Sequence, residues 1–291
     1  MYILILLSIL SASVNSTLLH LLPCKTKKDV FTFNFFSALI WMLLLFAIGG
    51  RMHFSSGAVL WGVLYGITQI LFLIFKLQAM HSGPVSITTL LGNCSLLLST
   101  SLSVLLWQEP IRIGQILGII LLLLSVFLAT DPKSEMQMSR KWKLLCVFFF
   151  LFASAVGIVF KAFSYSDVSG SVNEMMFSAA GVMSIGLLLL SGFSTINSKE
   201  PLHLIPQSGK HRFFRGFLLI FSCGILSCLY NRLNITLSGK LPGAIFFPCF
   251  NGGVIVCSAL LGRLFLKEQF SKKQLLGLLL GILAIVIVGI S

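Results

Sequence analysis

Apolar residues fill long, continuous runs along this chain, and short polar stretches separate the runs. Each run can cross the hydrocarbon core of a bilayer, which takes roughly 20 residues in a helix. The runs do not alternate between apolar and polar residues, so they predict helices rather than strands. We predict ten spans, over residues 2–22, 30–49, 57–78, 84–107, 112–130, 142–163, 172–192, 213–231, 241–264 and 273–290.

Composition places these helices in a membrane. Of the 291 residues, 57% are apolar and only 10% are charged, which is too little charge for the surface of a soluble protein of this length. The first run has no basic segment before it and no clean cleavage site, so we expect a retained helix rather than a signal peptide. The sequence predicts an all-α, multi-pass integral protein of the cell membrane, with the lipid bilayer as its first partner.

Residues of the same types recur in two parts of the chain. One block pairs Lys76-Leu77-Gln78 and Ser82-Gly83 with Arg232-Leu233-Asn234 and Ser238-Gly239, at an offset of 156. A second block pairs Glu109, Gln115 and Gly118 with Glu268, Gln274 and Gly277, at an offset of 159. We therefore predict two five-helix repeats, residues 1–131 and 142–291, joined by a linker at 132–141. An odd number of helices per repeat turns the second repeat upside down, as in many secondary transporters.

Basic residues are unevenly divided between the two predicted membrane faces. Of the 21 Lys and Arg residues, 16 belong to the odd-numbered loops and their helix ends. The positive-inside rule then predicts cytoplasmic odd-numbered loops and external termini. The same loops account for the net charge of +13 by facing anionic lipid headgroups. They are too short to form a nucleic-acid-binding surface, so no nucleic-acid partner is expected.

Motifs for several kinds of chemistry are missing from the sequence. There is no GxxxxGK[ST] phosphate loop, so a nucleotide-driven pump is not expected. The seven cysteines form no CxxC pair and the five histidines form no HExxH motif, so we predict neither a metal nor another cofactor. No Ser-His-Asp constellation can be argued. We therefore predict no catalytic residues and a protein that is not an enzyme.

Two stretches carry a resemblance to a known family. The second half has Gly243-Ala244-Ile245-Phe246-Phe247-Pro248, Asn251-Gly252-Gly253, Leu266-Lys267-Glu268 and Gln274-Leu275-Leu276-Gly277. It resembles the drug/metabolite transporter (DMT) superfamily, in particular its ten-helix EamA-like branch. Trp107-Gln108-Glu109 to Gly118 resembles the same signature in the first half. The resemblance implies a basket of ten helices around a central cavity, moving small metabolites without ATP.

The chain also departs from this family in two ways. Family members often carry an arginine early in the second helix, where this chain has Phe31-Thr32-Phe33-Asn34-Phe35. Many members have cytoplasmic termini, whereas the basic residues here predict external ones.

Four polar residues inside apolar spans are candidates for a substrate cavity: Asn15, Asn93, Tyr230 and Asn251. Asn93 and Asn251 lie beside glycines, and Pro248 precedes Asn251 by one turn. Irregular backbone at membrane depth is tolerated where it lines a cavity or packs against protein. An amide there can bind substrate, or it can instead hydrogen-bond a neighbouring helix, which contributes about 0.6 kcal/mol.

Ionisable residues near the spans give further candidates. Lys161 is a candidate cavity residue, and Glu174 is a candidate proton carrier if transport is proton-coupled. Both are close enough to an interface for hydration to explain them. Glu109 and Glu268 are either gate residues or interfacial carboxylates. Lys76 and Arg232, which we expect to end the third and eighth spans, are either snorkelling cations or, for Arg232, a ligand for an anionic group.

These observations favour a secondary transporter that moves a small metabolite or drug-like molecule by alternating access. A lipid-linked flippase or accessory subunit is the first alternative, and a membrane-embedded acyltransferase-type enzyme is a weaker one. GxxxG motifs at Gly62, Gly114 and Gly277 fit packing within one chain or between two, so a monomer and a homodimer both remain open.

Overall fold

The computed structural model describes residues 1–22, 26–48, 52–129, 139–169, 171–198, 204, 210–265 and 271–291. Within these ranges the chain forms ten helices and no strand. The helices are α1 Tyr2–His20, α2 Lys27–Ile48, α3 Ser56–Ser82, α4 Val85–Trp107, α5 Ile113–Ala129, α6 Arg140–Ser164, α7 Val172–Ser198, α8 Lys210–Lys240, α9 Gly243–Phe265 and α10 Lys272–Ile290. The predicted ten-helix membrane fold is confirmed.

Nine of the described helices are long and apolar enough to cross a membrane. The exception is α5, whose 17 residues extend about 26 Å at the usual helical rise. This length is at the lower end of what spans a bilayer. Most of the predicted linker, from 130 to 138, lies outside the described residues, and so does Glu268. Arg140 and Lys141 already belong to α6.

The predicted ends of three spans are wrong. We expected the third span to end at Gln78, the seventh at residue 192 and the eighth at Asn231. Instead, α3 continues to Ser82, α7 to Ser198 and α8 to Lys240. In α8 the misleading residues are Asn231, Arg232 and Asn234, which look like the start of a loop. Asn231 and Asn234 are instead buried and hydrogen-bonded to other helices. Neither Lys76 nor Arg232 therefore ends a helix.

The offset predicted for the first repeated block is also wrong. The ends of α3 and α8 differ by 158 residues, as do both ends of α4 and α9. The same offset relates Pro84 to Pro242 and Asn93 to Asn251. A shift of two residues turns a side chain by about 200° around a helix. Lys76 and Arg232 therefore do not occupy equivalent positions.

Contacts between helix ends define two faces of the molecule. At one face, which we call the even-loop face, Glu109 after α4 contacts Tyr165 after α6 and Gly243 at the start of α9. At the opposite, odd-loop face, Trp142 at the start of α6 donates a hydrogen bond to Thr88 at the start of α4, at 3.1 Å. Successive helices therefore run up and down between the two faces.

The second repeat is inverted relative to the first. At the start of α1, Ile5 packs with Leu237 and Val288, which lie near the ends of α8 and α10 at the even-loop face. The start of α6, at Trp142, lies at the odd-loop face. Because α1 and α6 hold the same place in their repeats but run in opposite directions, the prediction of inverted five-helix repeats is confirmed.

Eight helices form a closed ring in the order α3, α7, α2, α8, α1, α9, α4 and α6, with α6 packing on α3. Outside this ring, α5 and α10 pair with each other and pack on α9. One further pair, α6 and α8, packs across the ring. The pair related to it by the repeat, α1 and α3, shows no comparable packing among the described residues. The contact between α6 and α8 therefore fills part of the interior of the ring, and no equivalent contact between α1 and α3 does so in the described chain.

Candidate functional site

A cluster around Glu109 fastens three helix ends at the even-loop face. The carboxylate Oε1 lies 2.5 Å from Nζ of Lys161, at the end of α6. Its Oε2 accepts hydrogen bonds from the Gly243 backbone N–H at 2.6 Å and from the Ser103 hydroxyl at 2.7 Å. Tyr165 donates to Oε1 at 3.3 Å. We call Ser103, Glu109, Lys161, Tyr165 and Gly243 the Glu109 cluster.

Local backbone structure explains why Glu109 reaches this position. α4 ends at Trp107, and the next residue, Gln108, has a φ of 51° in the left-handed region and turns the chain sharply. The next residue, Glu109, then points at the first N–H of α9. The positive end of a helix dipole favours a carboxylate at this place. A side chain on Gly243 would collide with Ser103, since a Cβ atom would lie 2.1 Å from its Oγ.

Lys161 is fully buried although it carries a charge. Its ammonium donates a second hydrogen bond, to the Leu241 carbonyl at 2.7 Å, and lies 5.4 Å from the centre of the Tyr165 ring. A buried ion pair adds little stability compared with apolar residues, but removing one partner leaves an uncompensated charge and costs about 3–5 kcal/mol. The Glu109–Lys161 ion pair therefore strongly favours the state in which the ends of α4 and α6 are in contact.

The pKa of Glu109 reflects these contacts. Burial alone would raise the pKa of this carboxyl. The hydrogen bonds from Lys161, Gly243 and Ser103, together with the charge of Lys161, outweigh burial and hold the pKa below its ordinary value. Burial, the Glu109 charge and the hydrogen bond to Glu109 raise the pKa of Tyr165. At neutral pH the cluster thus contains an ionised Glu109 and a neutral Tyr165.

A second polar network crosses the ring just inside the Glu109 cluster. Tyr65 of α3 donates to the Asn231 side chain of α8 at 2.8 Å, and Gln69 donates to the Tyr65 oxygen. Tyr65 also packs on Phe160 of α6, with ring centres 4.9 Å apart. Since α3 and α8 are not neighbours in the ring, these contacts fill its interior.

The other half of the ring is packed differently. Between Ser56 and Thr68, α3 alternates between buried and exposed residues, as expected of a helix packed on one side. From Gln69 to Gln78 every side chain is instead partly exposed, whichever way it points. From Leu90 to Leu98, α4 shows nearly the same pattern, with only Leu96 buried. Both the outer and the inner faces of these segments are therefore accessible, which indicates open space inside the ring towards the odd-loop face.

The predicted cavity residues lie in four ring helices. Asn15 of α1 is half-buried, and its Oδ1 atom is buried without a hydrogen-bond partner among the described residues. Asn93 of α4 is half-buried and lies on one helix face with Leu97 and Thr100. Leu97 and Thr100 line a cavity of about 460 Å³ between α4 and α5, whose walls are apolar apart from Thr100 and Ser101. Asn93 is not one of the residues that line it.

Asn251 and Tyr230 have closer partners. The Asn251 amide donates to the Phe247 carbonyl of its own helix at 2.9 Å. Tyr230 is half-buried, and its carbonyl accepts a long bond of 3.5 Å from Ser8 of α1. In the described part of the chain, no hydrogen bond joins any two of the four predicted cavity residues.

The two predicted ionisable residues lie in different settings. Lys161 belongs to the Glu109 cluster, as described above. Glu174 lies in the first turn of α7, is half-buried, and accepts a hydrogen bond from the His53 backbone N–H at 3.3 Å. It thus lies at a helix start on the even-loop face, away from the middle of the ring.

Sequence reasoning missed the ion pair as a unit. The sequence identifies Glu109 and Lys161 as separate candidates, but no local pattern relates two residues that are 52 positions apart. Lys76 could have been found as an inward-facing cation, because Tyr65, Gln69, Phe72 and Lys76 follow one another at helical spacing on one face.

Comparisons with known proteins agree with this architecture. A solved crystal structure superposes with a TM-score of 0.72 at 15% sequence identity, and the match covers 98% of each chain. At that identity the likeness shows the fold alone. Ten helices in two inverted repeats around a ring define a multi-pass helical membrane protein.

The family comparison is more specific. Residues 1–130 match the EamA-like transporter family. The resemblance predicted from the sequence is thereby confirmed, and the chain has an EamA-like first half. No protein of curated function matches the sequence.

Proposed function

We propose that this protein is a secondary transporter that moves a small metabolite or drug-like molecule across the cell membrane by alternating access. The observation that carries the proposal is the difference between the two ends of the ring. The Glu109 cluster and the packing of α6 on α8 close the even-loop end. The odd-loop half keeps partly exposed inner surfaces. One such state, together with its mirror in an inverted repeat, is what alternating access requires.

The distribution of basic residues supports an orientation for this state. If the odd-numbered loops are cytoplasmic, the open half faces the cytoplasm and the Glu109 cluster closes the external end. A single cysteine at Ser134, on a cysteine-free background, would then resist an impermeant thiol reagent in right-side-out vesicles. Ready labelling there would reverse the proposed orientation, but the structural difference between the two ends of the ring would remain.

Proton coupling has two candidate carriers. Glu174 is one, as a half-buried carboxyl at a helix start. Glu109 is the other, because its protonation would remove the charge that holds Lys161 and so favour an open even-loop end. Glu174→Gln and Glu109→Gln distinguish them. The carrier's variant loses uptake driven by a pH gradient but retains substrate exchange, and if both variants keep gradient-driven uptake, transport is not coupled to either carboxyl.

Reconstitution tests the main proposal. Metabolites that raise the thermal stability of the purified protein are first selected, since a ligand stabilises the form that it binds. Their uptake is then measured in liposomes that contain no ATP. We expect saturable uptake, and we expect Lys161→Met to reduce it much more than Lys143→Met, which changes an exposed lysine of the same helix. Binding without uptake by the wild-type protein would contradict the proposal.

The cavity between α4 and α5 favours a flippase as the second candidate. It is open at the side of the ring, and most of its walls are apolar, with Leu105 and Ile120 strongly exposed towards the lipid. The buried Thr100 hydroxyl there has no hydrogen-bond partner in the described part of the chain. A fluorescent phospholipid analogue that crosses liposome membranes only when the protein is present would favour this function over metabolite transport.

A further inference from the structure

One face of α3 points into the ring and carries Lys76. Tyr65, Gln69, Phe72 and Lys76 follow at i, i+4, i+7 and i+11, so they lie along one side of the helix. Tyr65 reaches Asn231 of α8 across the ring, and Phe72 packs on Phe149 of α6 with ring centres 5.6 Å apart. This face is therefore the inner one, and Lys76 lies on it in the open half.

The other contacts of α3 support this placement. Gly62 and Gly66 lie against the backbone and short side chains of α7, which is the neighbour on one side. Phe75 stacks on Phe148 and Phe152 of α6, the neighbour on the other side. Lys76 projects between these two directions, which is towards the middle of the ring.

The charge of Lys76 has no carboxylate partner in the described chain. The ammonium lies 5.7 Å from the centre of the Phe72 ring, and no described carboxylate is within 4.0 Å of it. The four described acidic residues are engaged or remote. Asp29 binds Thr26 and Leu204, Glu109 binds Lys161, Glu174 binds His53, and Asp167 is exposed at the even-loop face. A charge inside a membrane helix is costly and marks a functional site by default.

Arg232 is a useful contrast, because it is also a half-buried cation inside a membrane helix. It shares a face of α8 with Leu229 and Phe221, at spacings of three and eleven residues, and both of these are exposed on the outside of the bundle. Its guanidinium can reach the lipid headgroups from there. Of these two cations, only Lys76 faces the interior of the ring.

We propose that the open half of the ring binds a small amphipathic molecule carrying an anionic group, a carboxylate or a phosphate, and that Lys76 is its counter-ion. The Gln69 amide lies two turns away on the same face and can donate a hydrogen bond. Phe72 and Phe149 form an apolar wall beside the ammonium, which suits an aromatic or short aliphatic body. This inference rests on the proposed transport function, since it names the class of substrate that the ring would transport.

Matched probes of different charge test the inference by thermal stability of the purified protein. Benzoate and phenyl phosphate are anionic, benzyl alcohol is neutral, and benzylamine is cationic, with similar apolar bodies. We expect saturable stabilisation by the two anions and little by the others. Stabilisation by benzylamine but not by benzoate would overturn the inference. This charge series uses the wild-type protein, so it decides the matter even if a variant fails to fold.

Variants then assign the effect to Lys76. Lys76→Gln should weaken binding of benzoate by about 10- to 100-fold, the loss expected for one charge-assisted hydrogen bond. Lys76→Arg should retain most of it. Arg232→Gln, the matched control, should change it by less than about twofold if its charge faces lipid. Equal losses in Lys76→Gln and Arg232→Gln would show a general effect of charge and contradict the assignment.

Protein-dependent uptake of radiolabelled phenyl phosphate, benzyl alcohol and benzylamine into liposomes tests the anionic substrate class separately from the proposed transport function. Anion binding that depends on Lys76, without uptake of any probe, would uphold the binding site and refute transport. Saturable uptake of neutral or cationic probes that is unaffected by Lys76→Gln would uphold transport and refute the anionic substrate class.

Discussion

The two ends of the same helical ring are held together in different ways. At the even-loop end, one carboxylate receives contacts from three other parts of the chain, and α6 packs on α8 across the ring. At the odd-loop end, the described contacts are local and pairwise. Trp142 at the start of α6 donates a hydrogen bond to Thr88 at the start of α4, and Asp29 accepts a hydrogen bond from the backbone N–H of Leu204. None of these odd-loop contacts crosses the ring.

This difference shows how an inverted repeat can favour one of its two states. The first repeat contributes Glu109 to the cluster, and the second contributes Lys161, Tyr165 and Gly243. The helix that corresponds to α6 is α1, which contains no Lys or Arg between Tyr2 and His20. The repeat therefore duplicates the architecture but not the buried cation. Closure of the even-loop end therefore includes a buried cation, Lys161, that α1 does not repeat.

Removal of Lys161 should disturb the even-loop end most. Lys161→Met leaves the Glu109 carboxylate nearly buried without its charge partner, which should lower the free energy of unfolding by about 3–5 kcal/mol. Denaturation in detergent measures the change. Lys143→Met, at an exposed position near the start of the same helix, should change it by less than about 0.5 kcal/mol. Equal effects of the two variants would show that the ion pair does not hold this end closed.

Filling the space at Gly243 should have the next largest effect. In Gly243→Ala, the new Cβ would lie 2.4 Å from Cβ of Ser103 and 3.2 Å from the Glu109 carboxylate, so α9 must move away from α4. Overpacking of this kind costs about 1–3 kcal/mol. Gly181→Ala is the matched control, because no atom lies within 4 Å of the position its Cβ would take. If Gly243→Ala is as stable as Gly181→Ala, the close approach of Gly243 to Ser103 is not needed.

Acid should weaken the even-loop end through Glu109. A carboxyl whose pKa is lowered in the folded state contributes stability at neutral pH, and this contribution is lost as the pH falls through the folded pKa. Glu109→Gln lacks the contribution at every pH. The difference in melting temperature between the wild type and this variant should therefore be largest near neutrality and shrink in acid. A constant difference across the pH range would exclude Glu109 as the titrating group.

Loss of the Tyr165 hydroxyl should have the smallest effect. Tyr165→Phe removes a hydrogen bond of 3.3 Å to Glu109 at an exposed position but keeps the ring beside Lys161. We expect a loss of about 0.5 kcal/mol, at the low end for a hydrogen bond. Tyr165→Ala removes the ring as well and should cost more. A loss in Tyr165→Phe as large as that in Lys161→Met would show that the hydroxyl, and not the ion pair, dominates the cluster.

The fold could be predicted from the sequence because the length and apolar composition of a segment are enough to identify a membrane helix. The errors fell where polar residues lie inside a helix. Asn231 and Asn234 ended the predicted eighth span, since hydropathy does not reveal that Tyr65 and Ser8 satisfy their amides. The register of the repeat was misjudged for a related reason. Similar residue types at Lys76 and Arg232 suggested an equivalence that the helix ends do not support.

The site was less predictable than the fold. Lys161 was a candidate from its type and position, but its pairing with Glu109 depends on a left-handed turn at Gln108 and on how the two repeats meet. No local sequence pattern predicts the left-handed turn or the way in which the two repeats pack together. Lys76 illustrates the opposite case. Helical spacing places it on the same face of α3 as Tyr65, and the contact of Tyr65 with Asn231 shows that this face is the inner one.

Accessibility of a single cysteine at Gln69 tests the central claim most directly. Gln69 lies on the inner face of α3, at the border between the packed and the open half. On a cysteine-free background, Gln69→Cys should react with a membrane-impermeant thiol reagent added at the odd-loop face and not with reagent added at the even-loop face. Adding Lys161→Met should make it reactive from the even-loop face as well. Labelling of the single-cysteine protein from the even-loop face alone would contradict the account.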